Sequence, residues 1–175
     1  NNGTYDLENE IFRDNDINDY ITKNIPYDYK PIPKDNKDMI LLNEYLNKIL
    51  PDKEIRDLLL LLLSSTLHAV TLEKFVILTG RGGNGKDTLM SYLMPAVLGH
   101  LFYEGNTNCI TSLPKSDLNV AMANCYKKNM IIFNEPPEKL KIITSEVKKL
   151  TGCKNINSRT IYSTKTEIKL NCSVF

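Results

Sequence analysis

Residues 80–88 read Gly-Arg-Gly-Gly-Asn-Gly-Lys-Asp-Thr, directly after the apolar run Phe75-Val76-Ile77-Leu78 and directly before a segment with helical spacing. A strand, G-x-x-x-x-G-K, helix order is the setting in which successive backbone N–H groups cradle phosphates and a lysine ammonium reaches the β/γ oxygens. The turn also aims the positive end of the helix dipole at the same point. Gly80, Arg81, Gly82, Gly83, Asn84, Gly85, Lys86, Asp87 and Thr88 are therefore the candidate nucleotide-binding residues. Gly82, Gly83 and Gly85 are expected to supply positive φ angles, and Asn84 is among the residues that best tolerate them.

A second chemical element, Asn134-Glu135, closes the apolar run Met130-Ile131-Ile132-Phe133, 49 positions after Lys86. An acid at the end of such a strand holds magnesium, and an adjacent glutamate polarises the attacking water in a phosphate-binding-loop ATPase. Lys86 and Glu135 are the candidate catalytic residues, with Glu135 as general base. Two substitutions of type stand out. Asp87 occupies the place of a magnesium-ligating Ser or Thr, and the neutral Asn134 occupies that of an acid. The carboxylate has changed sides, and Asp87, Asn134 and Glu135 form the candidate metal set. A carboxylate suits magnesium but adds repulsion beside the β- and γ-phosphates that only the ion can offset. Nucleotide binding is thus expected to depend strongly on metal. Thr88 is a poor substitute ligand, since one helical step turns it about 100° from Asp87.

The elements that must position these residues follow from pattern. Short alternating stretches around Tyr5–Leu7 and Ile11–Arg13 read as an edge hairpin, and Pro26, Pro31 and Pro33 mark a linker. Met39, Leu42, Leu46 and Ile49 recur at helical spacing after a cap at Asp35 or Asn36, and Pro51-Asp52 opens a second helix that carries a leucine run to about Leu67 as a buried helix. After the loop, Leu89, Leu93 and Val97 continue a helical stripe that Pro95 and Gly99 bend or end. Residues 104–119 read as a connection. Pro136 and Pro137 stop the second strand, and Leu140, Ile143, Val147 and Leu150 mark a helix ending at Gly152. Ile156–Tyr162 and Ile168–Phe175 alternate as a hairpin leading into a further strand. This order implies an α/β fold with a mostly parallel, doubly covered sheet and ligands at the carboxyl ends of its strands. The expected division is 1–35 hairpin and linker, 36–70 helical subdomain, and 71–175 nucleotide-binding core truncated at its C-terminal end.

Composition agrees with one globular core: 42% of the 175 residues are hydrophobic and 25% charged. The start at Asn1 and the stop inside an apolar run suggest a piece of a longer polypeptide. The longest apolar stretch, Leu58 to Leu63, is far short of the roughly 18 residues of a membrane span. Cys109, Cys125, Cys153 and Cys172 show no C-x-x-C spacing, which points to free core thiols in a reducing, cytoplasmic setting. Net charge is +1, yet its distribution is uneven. Residues 1–38 hold nine acids against five bases, whereas 139–170 hold eight bases against Glu146 and Glu167. That basic region is where a polyanion could bind.

The form Gly-x-Gly-Gly-Asn-Gly-Lys, the strand ending Ile-Ile-Phe-Asn-Glu-Pro-Pro-Glu, Ser145–Gly152, and Ser158-Arg159-Thr160-Ile161-Tyr162 together resemble superfamily 3 helicases, of the primase-helicase type of poxviruses, other large DNA viruses and phages. The stretch Asn2–Leu7 through Tyr20-Ile21-Thr22 to Ile25–Tyr29 resembles the segment that precedes their ATPase core. The resemblance implies a P-loop NTPase core of AAA-like type, ATP and magnesium as cofactors, and a hexameric ring around single-stranded DNA, working in the host cytoplasm or at a viral replication site. Its basic hairpin maps onto 150–165 and makes Lys154, Arg159 and Lys165 the candidate DNA contacts, where lysine and arginine would neutralise backbone phosphates without reading bases. Tyr162 is a packing or base-stacking residue of that hairpin. The family's polar sensor would fall just past Phe175, with its arginine finger further on, so the fragment alone is expected to be a weak or inactive ATPase. Two other readings stay open. One is a nucleotide-binding module that has lost hydrolysis through Asp87. The other is a small nucleotide kinase, which fits the loop but would need an arginine-rich lid, and the chain's arginines are Arg13, Arg56, Arg81 and Arg159.

Overall fold

A computed structural model describes residues 2–68, 71–113, 120–136, 139–152, 155–158 and 166–175. Strands β1 (Thr4–Asp6) and β2 (Ile11–Arg13) form the expected antiparallel hairpin. Arg13 then closes onto Asp19 with two N–H to carboxylate hydrogen bonds of 2.9 and 2.6 Å, which hold the Asp19 carboxyl below its usual range. Helix α1 (Lys37–Ile49) starts where Asn36 accepts from the Asp38 amide, and α2 (Lys53–Ser65) where Asp52 accepts from Glu54 and Ile55. The leucine run of α2 is buried on one face only. Leu59 and Leu63 are in the core, while Leu58 and Leu61 are 56% and 67% exposed, as a 3.6-residue period requires.

Past the phosphate-loop segment, residues 88–93 form a π-helical turn that leads into α3 (Met94–Leu98). Pro95 accounts for the widened turn: it has no N–H to give, and its ring would crowd the Ser91 carbonyl in a regular α-helix. Gly99, at φ +54°, ends the helix, with Pro26 packed against it. Strand β3 (Phe102–Glu104) follows, then α4 (Asn108–Thr111), α5 (Val120–Asn124) and β4 (Met130–Ile132). Helix α6 (Thr144–Thr151) begins later than its apolar spacing predicts, because the Ile143 amide donates to the Ile110 carbonyl at 2.7 Å and holds the preceding residue extended. Strands β5 (Asn155–Ser158) and β6 (Thr166–Lys169) pair antiparallel, and β7 (Ser173–Val174) completes the set.

The central sheet is parallel, in the order β3-β4-β7, with Phe75 bridged in parallel to Val174 at the β7 side. The strand expected over 75–78 is thus reduced to a single bridge, reinforced by the Val76 amide donating to Val174 at 3.0 Å. Its partner β7 is two residues long and can hold little more. Period-2 alternation sends Ile131 and Val174 to one face and Met130, Ile132 and Phe175 to the other. The second face carries Leu46, Leu59, Leu63, Met90 and Leu98 from α1, α2 and the helix after the loop; the first carries Ile110, Met122 and Leu150 from α4, α5 and α6. The sheet is covered on both sides, as the alternation of elements predicts.

Candidate nucleotide site

Beyond the Phe75 bridge the chain runs extended to Gly80 and turns through residues 81–85 before helix begins at Lys86. Gly83 and Gly85 take positive φ, +71° and +86°. Gly82 and Asn84 do not, contrary to the expectation for them. Asn84 contributes through its side chain instead: its Oδ1 accepts from Lys86 Nζ at 2.9 Å and from the Lys86 amide at 3.4 Å. The ammonium also donates to the Arg81 carbonyl at 3.3 Å, so it is held over the loop by the loop's own oxygens. A Cβ on Gly80 would lie 2.5 Å from Asn84 Nδ2, so a larger residue would displace the Asn84 side chain from Lys86. The start of the helix is fixed by the Leu89 amide donating to Gly85 at 3.1 Å, and Tyr45 of α1 donates its hydroxyl to that same carbonyl at 2.8 Å.

The loop and the Asn134-Glu135 pair line one cleft of about 680 Å³ at the carboxyl end of the sheet. Gly80, Gly82–Thr88, Asn134 and Glu135 all contribute to its wall, with Phe75–Thr79 behind and Ile142 and Phe175 as apolar surface. Arg81 is outside that lining and supplies its carbonyl to Lys86. Glu135 sits at φ +36°, a left-handed conformation that costs a non-glycine residue energy and that recurs at functional turns. Asp87 is exposed in the first helical turn and makes no side-chain cap bond. The oxygens of Asp87, Asn134 and Glu135 are the hard donors magnesium takes. Among the described residues no group of three or more His, Cys, Asp or Glu is arranged as a preformed metal cluster.

Three contributors to this site carry no motif. Glu104, the last residue of β3, accepts from Asn134 Nδ2 at 2.8 Å, and Ser91, in the π turn, lies 3.3 Å from the same nitrogen. Tyr45 is the third. A three-residue aromatic strand before Gly105 was the only trace of Glu104 in the sequence, and the connection read over 104–119 hid it. Lys154, Arg159, Lys165 and Tyr162 lie outside the described residues; the strands β5 and β6 that flank most of that region pair as the hairpin reading expects.

The family model described as D5 N terminal like matches residues 1–51. A protein of Acanthamoeba polyphaga mimivirus, named as a candidate helicase, L207/L206, is 35% identical over 164 residues, which is 92% of this chain and 17% of that protein. The resemblance to viral D5-like helicases therefore holds. The apo structure of the NrS-1 C-terminal region superposes with a TM-score of 0.56 at 18% identity, covering 83% of this chain and 32% of that one, a likeness of fold. The match over 1–51 takes in the β1/β2 hairpin and helix α1, and the chain spans about a sixth of the mimivirus relative. Among the described residues no helix is long and apolar enough to cross a membrane.

Proposed function

We propose that this chain is the nucleotide-hydrolysing part of a superfamily 3 replication helicase of viral or phage type, which uses ATP to move along single-stranded DNA. The observation that carries the reading is that the phosphate loop and Asn134-Glu135, 49 residues apart, line one cleft at the carboxyl ends of parallel strands. Loop amides and the Lys86 ammonium bind the β- and γ-phosphates, the ammonium exchanging the Asn84 and Arg81 oxygens for phosphate oxygens. Glu135 takes a proton from the water that attacks the γ-phosphorus; the bond to the bridging oxygen breaks, and ADP and phosphate leave. Magnesium, held by Asp87 with Asn134 and Glu135, would neutralise charge between the phosphate oxygens. Lys154, Arg159 and Lys165 are the DNA contacts of this reading, in a hexameric ring of the full-length protein.

The test is ATP turnover by the full-length parent, with and without single-stranded DNA, beside Lys86→Ala and Glu135→Gln. Turnover stimulated by DNA should fall at least about 100-fold in both variants, and chelating magnesium should weaken nucleotide binding sharply. Binding without turnover in the unaltered protein would instead identify a nucleotide-binding module, and phosphoryl transfer to a nucleoside monophosphate without DNA would identify a kinase.

A further inference from the structure

Asn134 stands where an acid is usual, and its side-chain partners explain how a neutral residue serves there. The amide is planar, with a donor end and an acceptor end. A carboxylate accepts only, so the end of Asn134 that lies 2.8 Å from Glu104 Oε1 has to be the NH2 group. Ser91 Oγ, 3.3 Å away, is a second partner of the same nitrogen. Neither Ser91 nor Glu104 lines the cleft, while Asn134 does. With its nitrogen committed on the far side, the amide has its Oδ1 left for the cleft, and Oδ1 makes no hydrogen bond among the described residues.

Glu104 is itself held at the edge of the same turn. It is in register with Ile132 on β4, the next amide, that of Gly105, donates to the Ile132 carbonyl at 2.8 Å, and a Cβ on Gly105 would meet the Phe133 ring at 2.5 Å. The pairing of the two strands sets the backbone spacing from which the Glu104 and Asn134 side chains meet. The same geometry explains the residue type at 134: an aspartate there would set two carboxylates against each other at hydrogen-bond distance.

Resting on the ATPase reading, we propose that Glu104 is a positioning residue that locks the Asn134 amide with its carbonyl oxygen toward the magnesium-nucleotide site, the pair together replacing a single acidic ligand. Outer-shell partners of this kind orient a ligand and raise its basicity. The negative charge sits one residue back from the cleft and reaches it through the polarised amide.

The experiment is a double-mutant cycle in the full-length parent with Glu104→Gln, Asn134→Asp and both together, read by magnesium titration of ATP turnover, by magnesium-dependent binding of a fluorescent ATP analogue, and by thermal unfolding. Glu104→Gln, whose amide no longer dictates which end of Asn134 faces it, should raise the half-saturating magnesium concentration about 10-fold. Asn134→Asp should lower the unfolding temperature by about 3 °C in the parent background and not at all beside Glu104→Gln, where the glutamine NH2 can donate to the new carboxylate. The double variant should recover magnesium half-saturation to within about 3-fold of the parent. Equal effects of Asn134→Asp in both backgrounds, or unchanged magnesium dependence in Glu104→Gln, would overturn the proposal. A parent without Lys86-dependent turnover would sink the ATPase reading, whereas the thermal cycle and the binding titration would still score the pair.

Discussion

Gly82 and Gly85 share one loop and one motif, yet the structure asks different things of them. Gly85 has φ +86°, and a Cβ there would lie 2.5 Å from Ile49 Cγ2 and 3.2 Å from the Tyr45 hydroxyl. Gly82 has nothing within 4 Å of its Cβ position and lies outside the left-handed region. Gly85→Ala should therefore cost about 1–3 kcal/mol in urea unfolding, with nucleotide binding lost as the Lys86 amide is displaced. Gly82→Ala should leave stability within about 0.5 kcal/mol of the parent. Equal losses in the two variants would mean that the loop adopts another conformation in solution. The spacing of the motif was readable in the sequence, but not this difference, because G-x-x-x-x-G-K fixes which residues recur and not which of them a neighbouring helix crowds. Asn84 teaches the same point: its type suggested a backbone role, and its contribution is a side-chain oxygen for Lys86.

That crowding neighbour is α1, an element whose amphipathic stripe says core and nothing about the site. Leu46 is buried in the main core while Tyr45 and Ile49 turn toward the loop, Tyr45 through its hydroxyl to the Gly85 carbonyl at 2.8 Å. The helix thus sets the position of the carbonyl that also receives the first helical hydrogen bond after the loop. Tyr45→Phe removes one hydrogen bond and keeps the ring, so the expected cost is about 1 kcal/mol in unfolding free energy and a several-fold weaker affinity for magnesium-ATP by titration calorimetry; an unchanged affinity would show that α1 only packs. Elements of this kind were legible where period and caps agreed. α1 and α2 have Asn36 and Asp52 at their starts, β4 is an unbroken apolar run, and the β5/β6 hairpin alternates. Those that escaped were short or set by distant contacts. β3 is three residues long, α4 is four, and the start of α6 is moved by the bond from Ile143 to Ile110, which no local pattern encodes.

Across the whole molecule the two faces of the sheet differ in chemistry as well as in partners. The face that packs α1 and α2 is built of leucine and methionine, with Ile132 and Phe175 from the strands, whereas Cys109, Cys125 and Cys172 all lie buried in the cluster on the opposite face. Burial pushes the Cys109 and Cys125 thiols up from their ordinary value of 9.0, Cys125 far above it, because a thiolate there would lose its hydration. The unfolded chain releases these protons near pH 9 while the native chain keeps them. The unfolded state therefore binds fewer protons, and stability, fully present below pH 9, falls as pH rises beyond it. The urea midpoint should be flat between pH 7 and 8 and decline toward pH 10, less steeply in Cys125→Ala, which removes a thiol that burial pushes far up. Lysine and tyrosine ionisation is common to both proteins, so the difference between their slopes isolates the thiol. Identical slopes would place Cys125 in contact with water and would contradict a closed core on this face of the sheet.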